Sequence, residues 1–144
     1  MLPSTILVPI DFSARSEHAL DYACGLAEKL GATVHLVHCI GASLPELSVA
    51  LTDEMIGSLQ RDAEQRLEQL VAKHPGIKFG KRTVLPGDAR DGILSLASSL
   101  GTDLVVMGTH GRRGVKRMVL GSVAEHVVRA ASCPVLTVRS HDPA

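Results

Sequence analysis

The chain has 144 residues, enough for one domain with a substantial core. Hydrophobic residues make up 45% and charged residues 21%, which sets it among globular rather than disordered chains. Fifteen basic side chains balance fifteen acidic ones, and the aromatics are one Tyr and two Phe. General nucleic-acid binding, which needs a basic surface and stacking rings, is therefore not expected.

The opening MLPSTILVPIDFS has no basic n-region and no cleavage site. No apolar run reaches the length of a membrane span. Cys24, Cys39 and Cys133 are widely spaced, odd in number and without a CxxC pair. The expectation is a cytoplasmic protein with reduced, buried thiols and no membrane partner. Residues 5–9 (TILVP) form a short apolar run ended by Pro9, as in a strand buried on both faces. Residues 14–30 read as a helix, with Ala19, Leu20, Ala23, Leu26, Ala27 and Leu30 at three- and four-residue steps and Gly31 as its stop. Residues 33–40 (TVHLVHCI) are the second strand, on which His35 and His38 point to opposite faces.

Residues 41–52 have a weak pattern and read as a loop. Residues 53–74 predict a longer helix with Ile56, Leu59, Ala63, Leu67 and Leu70 as its apolar stripe, ended by Pro75-Gly76. Residues 77–85 alternate partly, which suits a strand near a sheet edge, and Pro86-Gly87 reads as a turn. Asp88 is placed to cap the next helix, whose inner face is Ile93, Leu94, Ala97 and Leu100 and which Gly101 closes. Residues 103–107 (DLVVM) are the fourth strand. A glycine-rich segment follows, then a helix over 122–131 and a fifth strand, Pro134 to Arg139 (PVLTVR). Alternating strands and helices give right-handed βαβ units and one parallel sheet covered on both faces, as a single domain over residues 1–144. In such α/β folds ligands bind beyond the carboxyl ends of the strands where strand order reverses, which selects residues 9–13 and 108–122.

Residues 108–122 carry the chemistry. Gly108, Gly111, Gly114 and Gly121 let backbone amides approach phosphate oxygens. Ser122-Val-Ala-Glu125 reads as a capping box that opens the last helix, whose N-terminus favours anions. Arg112, Arg113, Lys116 and Arg117 add positive charge there, or form a plain solvated face. The segment is not a P-loop, because GxxxxGK[ST] is absent, and residues 9–13 hold no glycine for a dinucleotide fingerprint. No HxxxH or HExxH occurs among the seven histidines, so no metal site is expected, and His110 reads as an exposed loop residue. Asp11 either contacts a ligand or caps the turn before the first helix. Ser122 can serve as helix cap and phosphate ligand in one geometry.

Gly108-xx-Gly111-x9-Gly121-Ser122 resembles the G-2x-G-9x-G-[ST] signature of the ATP-binding universal stress proteins. The runs ILVPIDFS at 6–13, HLVHC at 35–39 and PVLTV at 134–138 resemble the same family's first, second and closing strands. The resemblance implies an open, doubly wound five-stranded parallel sheet of order 3-2-1-4-5, Rossmann-like, and a homodimer formed partly through the last strand. It implies ATP as cofactor, with Mg2+ as an optional companion held indirectly by Asp11. Pro9, Ile10 and Asp11 would hold the nucleoside, and Cys39, after strand two, would pack on adenine where the family usually has an aliphatic residue. Met107 and Gly108 would lie beneath the ligand, and Gly111, Arg112, Gly114, Gly121, Ser122 and Val123 would contact phosphate.

Three functions follow as expectations. The first is a nucleotide-binding stress-response or signalling module with at most slow ATP hydrolysis, since no carboxylate pair or nucleophile–base pair accompanies the loop. The second is an interaction dimer with a vestigial site. The third is an adenine-nucleotide-using transferase, whose HxGH or SGGxDS motifs are missing.

Overall fold

The computed structural model describes residues 2–41, 52–109 and 121–139. The elements run β1 (Thr5–Pro9), α1 (Ala14–Leu30), β2 (Thr33–Gly41), α2 (Asp53–Ala72), β3 (Phe79–Gly87), α3 (Ala89–Ser99), β4 (Leu104–Gly108), α4 (Ser122–Ala130) and β5 (Val135–Val138). The strands form one sheet of order β3-β2-β1-β4-β5, every neighbouring pair parallel. The strand order expected from the sequence is the one observed.

Each face of the sheet has its own core. Ile6, Val8, Val34, Leu36 and Val106 pack against Leu20, Ala23 and Ala27 of α1 and Leu67 and Leu70 of α2. Leu7, Val37, Val105 and Met107 pack against Ile93 and Ala97 of α3 and Ala124 and Val127 of α4. Alternate residues of a strand serve opposite cores, and β1 is buried on both faces because it lies at the sheet's centre. Asp103 ties the two central strands at their starts: its Oδ2 accepts from Ser4 N, Ser4 Oγ and Thr5 N at 3.0, 2.9 and 3.0 Å. Those hydrogen bonds to Ser4 and Thr5 hold the Asp103 carboxyl below its ordinary pKa. No helix among the described residues is long and apolar enough to cross a membrane.

The helix ends follow local chemistry. Gly31 closes α1 in the left-handed region at φ 68°, with its N–H on the Ala27 carbonyl. Asp88 caps α3 by accepting from Arg90 N at 2.8 Å. α2 stops at Ala72, two residues short of the expected end. A larger difference concerns Pro86-Gly87. Pro86 continues β3 opposite Ile40, and Gly87, opposite Gly41, is its last residue. β3 is an edge strand, where a proline whose nitrogen faces the open side removes no ladder donor. The chain turns only at Gly87, which adopts φ 97°.

The β2–β3 ladder contains a shift. Val34 pairs with Phe79 but Leu36 pairs with Arg82, so β3 carries one extra residue there. The His35 ring fills the space that a Cβ on Gly80 would need, and its Nδ1 accepts from Lys81 N at 2.8 Å. Glycine at position 80 is thus a requirement of the bulge.

Candidate functional site at the β1–β4 switch point

From β1 the chain passes to β2 on one side, and it later returns to place β4 on the other. In sheets of this topology the crevice expected for a ligand lies at the carboxyl end, between the segments that leave β1 and β4. Ile10 N donates to Val37 O at 2.8 Å, carrying the β1–β2 pairing one residue past the strand, and the Ile10 side chain is buried toward α1. Asp11 Oδ1 accepts from Ser13 N at 2.9 Å, while Asp11 N donates to Ser16 Oγ at 3.3 Å. Ser13 caps α1, accepting from Ser16 N at 3.1 Å. Asp11 thus does cap a turn, through one of its two carboxylate oxygens.

Between Asp11 and Ser13, Phe12 adopts φ 63°, the one non-glycine residue with positive φ among the described residues. His38 Nδ1 lies 2.7 Å from the Ile10 carbonyl oxygen. The Phe12 and His38 ring centroids are 4.6 Å apart, and the Arg66 guanidinium of α2 stands 4.0 Å from the Phe12 ring centre.

On the other bank, Met107 is buried among the α3 and α4 contacts. Gly108 abuts the first turn of α1: a Cβ on it would stand 3.2 Å from the Arg15 carbonyl oxygen. Thr109 is buried, and its carbonyl accepts a hydrogen bond from Gly121 N. That bond joins the two ends of the glycine-rich excursion at its base. Gly111, Arg112 and Gly114, with the rest of the basic cluster, lie outside the described residues.

α4 begins at Ser122 as expected, but its cap is Gly121 rather than Ser122, which corrects the expected capping box. Gly121 is the cap residue, with φ −72° and ψ 167°, and no side chain caps the helix. Ser122 is already the first helical residue and is exposed. The Thr109–Gly121 bond sets where the chain enters α4, and that shifts the cap one residue earlier. The helical ladder begins with Glu125 N to Gly121 O at 2.9 Å, so the amides of Ser122, Val123 and Ala124 precede it. α1, α2 and α3 each receive a side-chain cap, from Ser13, Thr52 and Asp88.

Cys39 sits within β2, opposite Leu85, as the strand reading of 33–40 has it and not after the strand, where the resemblance placed it. Its Sγ approaches α3, 3.1 Å from where a Gly92 Cβ would stand. Burial, reinforced by the Asp88 charge, pushes the Cys39 thiol up to about 11. It is a neutral thiol at physiological pH. Pro9, opposite Val37, ends β1. Pro9, Ile10, Asp11, Gly108, Gly121, Ser122 and Val123 thus all belong to the carboxyl end of the two central strands and the start of α4. Sequence reasoning passed over Phe12, Arg15, His38, Arg66 and Thr109. The one available signal was the period of two that sends His38 to the α1 and α2 side of the sheet. Among the described residues no group of three or more His, Cys, Asp or Glu side chains is placed to hold a metal ion.

Residues 3–139 match the family described as the universal stress protein family. The chain belongs to that family. The universal stress protein MJ0531 of Methanocaldococcus jannaschii is 34% identical over 139 residues, covering 93% of this chain and 81% of the relative. The solved structure of the universal stress protein MJ0577 from the same organism superposes with a TM-score of 0.82 at 27% identity, covering 96% of this chain and 97% of that one. A universal stress protein from Archaeoglobus fulgidus, solved in complex with dAMP, superposes with a TM-score of 0.65 at 24% identity, over 95% of this chain and 98% of that one. This last similarity speaks to the fold.

Proposed function

We propose that this universal stress protein binds an adenine nucleotide, ATP, at the β1–β4 crevice and works as a cytoplasmic nucleotide-responsive module. One observation carries the reading. Of the four described helices, the one that opens from the glycine-rich segment is the one without a side-chain cap. Its first amides and the positive end of its dipole are presented to an anion. The family membership and the dAMP held by the Archaeoglobus relative support adenine as the base.

In this reading the phosphates sit on the amides of Ser122 and Val123. Gly121 contributes the missing side chain, since its own N–H is engaged by Thr109. Pro9 and Asp11 flank the nucleoside. Mg2+, where present, arrives on the phosphates, with Asp11 reaching it indirectly. ATP hydrolysis in this reading is slow at most, and the dimer forms through the outer edge of β5.

The test is calorimetric titration and thermal unfolding with ATP, AMP and cyclic AMP, with and without Mg2+. ATP at 100 times its dissociation constant is expected to raise stability by about 2.7 kcal/mol. Gly121→Val is expected to abolish the effect, and because φ −72° suits any residue, the change probes ligand approach rather than backbone strain. No binding by the parent protein, or unchanged binding by Gly121→Val, overturns the site. Turnover near the enzyme median of about 10 per second overturns its reading as a binding module.

A further inference from the structure

We propose that His38 is a positioning residue of the nucleotide site, holding the β1–α1 loop through the Ile10 carbonyl in the shape that presents Asp11 at the crevice. The inference rests on the nucleotide reading above. It starts from the backbone. Phe12 occupies the left-handed region at φ 63°, which bulky side chains seldom adopt. Such a conformation persists only where its surroundings over-determine it. The turn around Phe12 is what lets Asp11 Oδ1 reach Ser13 N at 2.9 Å. Were Phe12 to relax into an ordinary basin, Asp11 and the α1 cap would move together.

Two kinds of contact hold Phe12 there. Beneath the loop, His38 Nδ1 stands 2.7 Å from the carbonyl oxygen of Ile10. A carbonyl only accepts, so Nδ1 carries the proton and donates. Ile10 is buried, and its carbonyl would lose this partner without the imidazole. Beside the loop, the His38 ring meets the Phe12 ring at 4.6 Å, and Arg66 of α2 meets that ring at 4.0 Å. Side chains from β2 and α2 thus converge on the residue that separates Asp11 from Ser13. None of them needs to touch the ligand.

Two variants separate the donor from the ring. His38→Phe keeps a ring against Phe12 and removes the donor. His38→Asn keeps a donor near the Nδ1 position and removes the ring. Each is titrated with ATP by calorimetry, and the Asp11 and Ser13 amide signals are followed by NMR in the ligand-free protein. His38→Phe is expected to weaken ATP binding by about tenfold, the scale of one hydrogen bond's worth of loop ordering, and to shift both amides. His38→Asn is expected to restore most of both. In the parent protein, the imidazole nitrogen spectrum is expected to show a protonated Nδ1.

ATP binding by His38→Phe at the parent affinity overturns the proposal while leaving the nucleotide site standing. Equal damage in His38→Asn and His38→Phe overturns it as well, because the donor would then not be the link. An unprotonated Nδ1 overturns it without any variant. If the parent protein binds no nucleotide, the site reading falls, and the positioning proposal, which rests on it, falls too.

Discussion

Gly108 shows how one missing atom places a helix. The first turn of α1 approaches β4 so closely that a Cβ at 108 would meet the Arg15 carbonyl oxygen at 3.2 Å. That neighbour is backbone and cannot swing aside. Gly108→Val is expected to cost about 1–3 kcal/mol through overpacking, read as a lower urea midpoint at unchanged slope. His35 offers a pH-dependent counterpart. Its Nδ1 accepts from Lys81 N, so the ring must be unprotonated at that nitrogen. Burial, and then the Lys81 charge, lower its pKa below the ordinary 6.5. The unfolded chain therefore takes up the proton first as pH falls. The stabilisation from neutral His35 is complete above about pH 6.5 and is lost below it, down to the folded value. His35→Gln is expected to flatten the stability slope between about pH 7 and 5 relative to the parent, measured by urea unfolding across that range.

The four helix starts differ in a way that separates stability from ligand binding. Ser13 supplies a working cap to α1, accepting from Ser16 N at 3.1 Å. Ser122 supplies none to α4. Ser13→Ala is expected to cost about 1 kcal/mol of stability, whereas Ser122→Ala is expected to leave the unfolding midpoint unchanged. Under the nucleotide reading the order reverses for ATP binding, with Ser122→Ala weakening it more than its silence in stability would suggest. Paired urea unfolding and ATP titration of the two variants checks both halves. From sequence alone Ser122 read as the cap of its helix, and Ser13 was not singled out. The distinction lies in Gly121, which takes the cap position with its amide held by the Thr109 carbonyl. That is a contact across the whole glycine-rich excursion, and no local pattern encodes it.

The sheet of the described residues has two edges, β3 and β5. β3 carries Lys81, Arg82 and Pro86, features that discourage pairing with another chain. β5 is four residues long and ends the sheet on the other side, with no further described strand beside it. If two copies meet through β5, sedimentation at micromolar concentration gives a particle of twice the 15.2 kDa chain mass. A single 15.2 kDa species at that concentration removes the dimer from the reading. A near-zero formal charge leaves little electrostatic repulsion between copies.

Strand and helix identity and the parallel sheet were legible because they rest on local periodicity and on chirality. Thr5–Pro9 and Ala14–Leu30 end where Pro9 and Gly31 said they would. Pro86-Gly87 misled, because a proline breaks a central strand but not an edge strand, and which strand lies at an edge is a property of the assembled sheet. Cys39 was set beyond β2 by the resemblance alone, although the strand pattern over 33–40 already contained it. The glycine-rich segment was recognisable from its spacing alone. What it borders was not. The His38 bond to Ile10 and the approach of Gly108 to Arg15 join residues far apart in the chain, and the positive φ of Phe12 and the uncapped start of α4 appear only in the assembled backbone. By itself the sequence determined which segments are strands and helices and that the strands run parallel, with their order implied by the family resemblance; only the packing of α1 and β2 against the two central strands decided which side chains stand at the carboxyl end of the sheet.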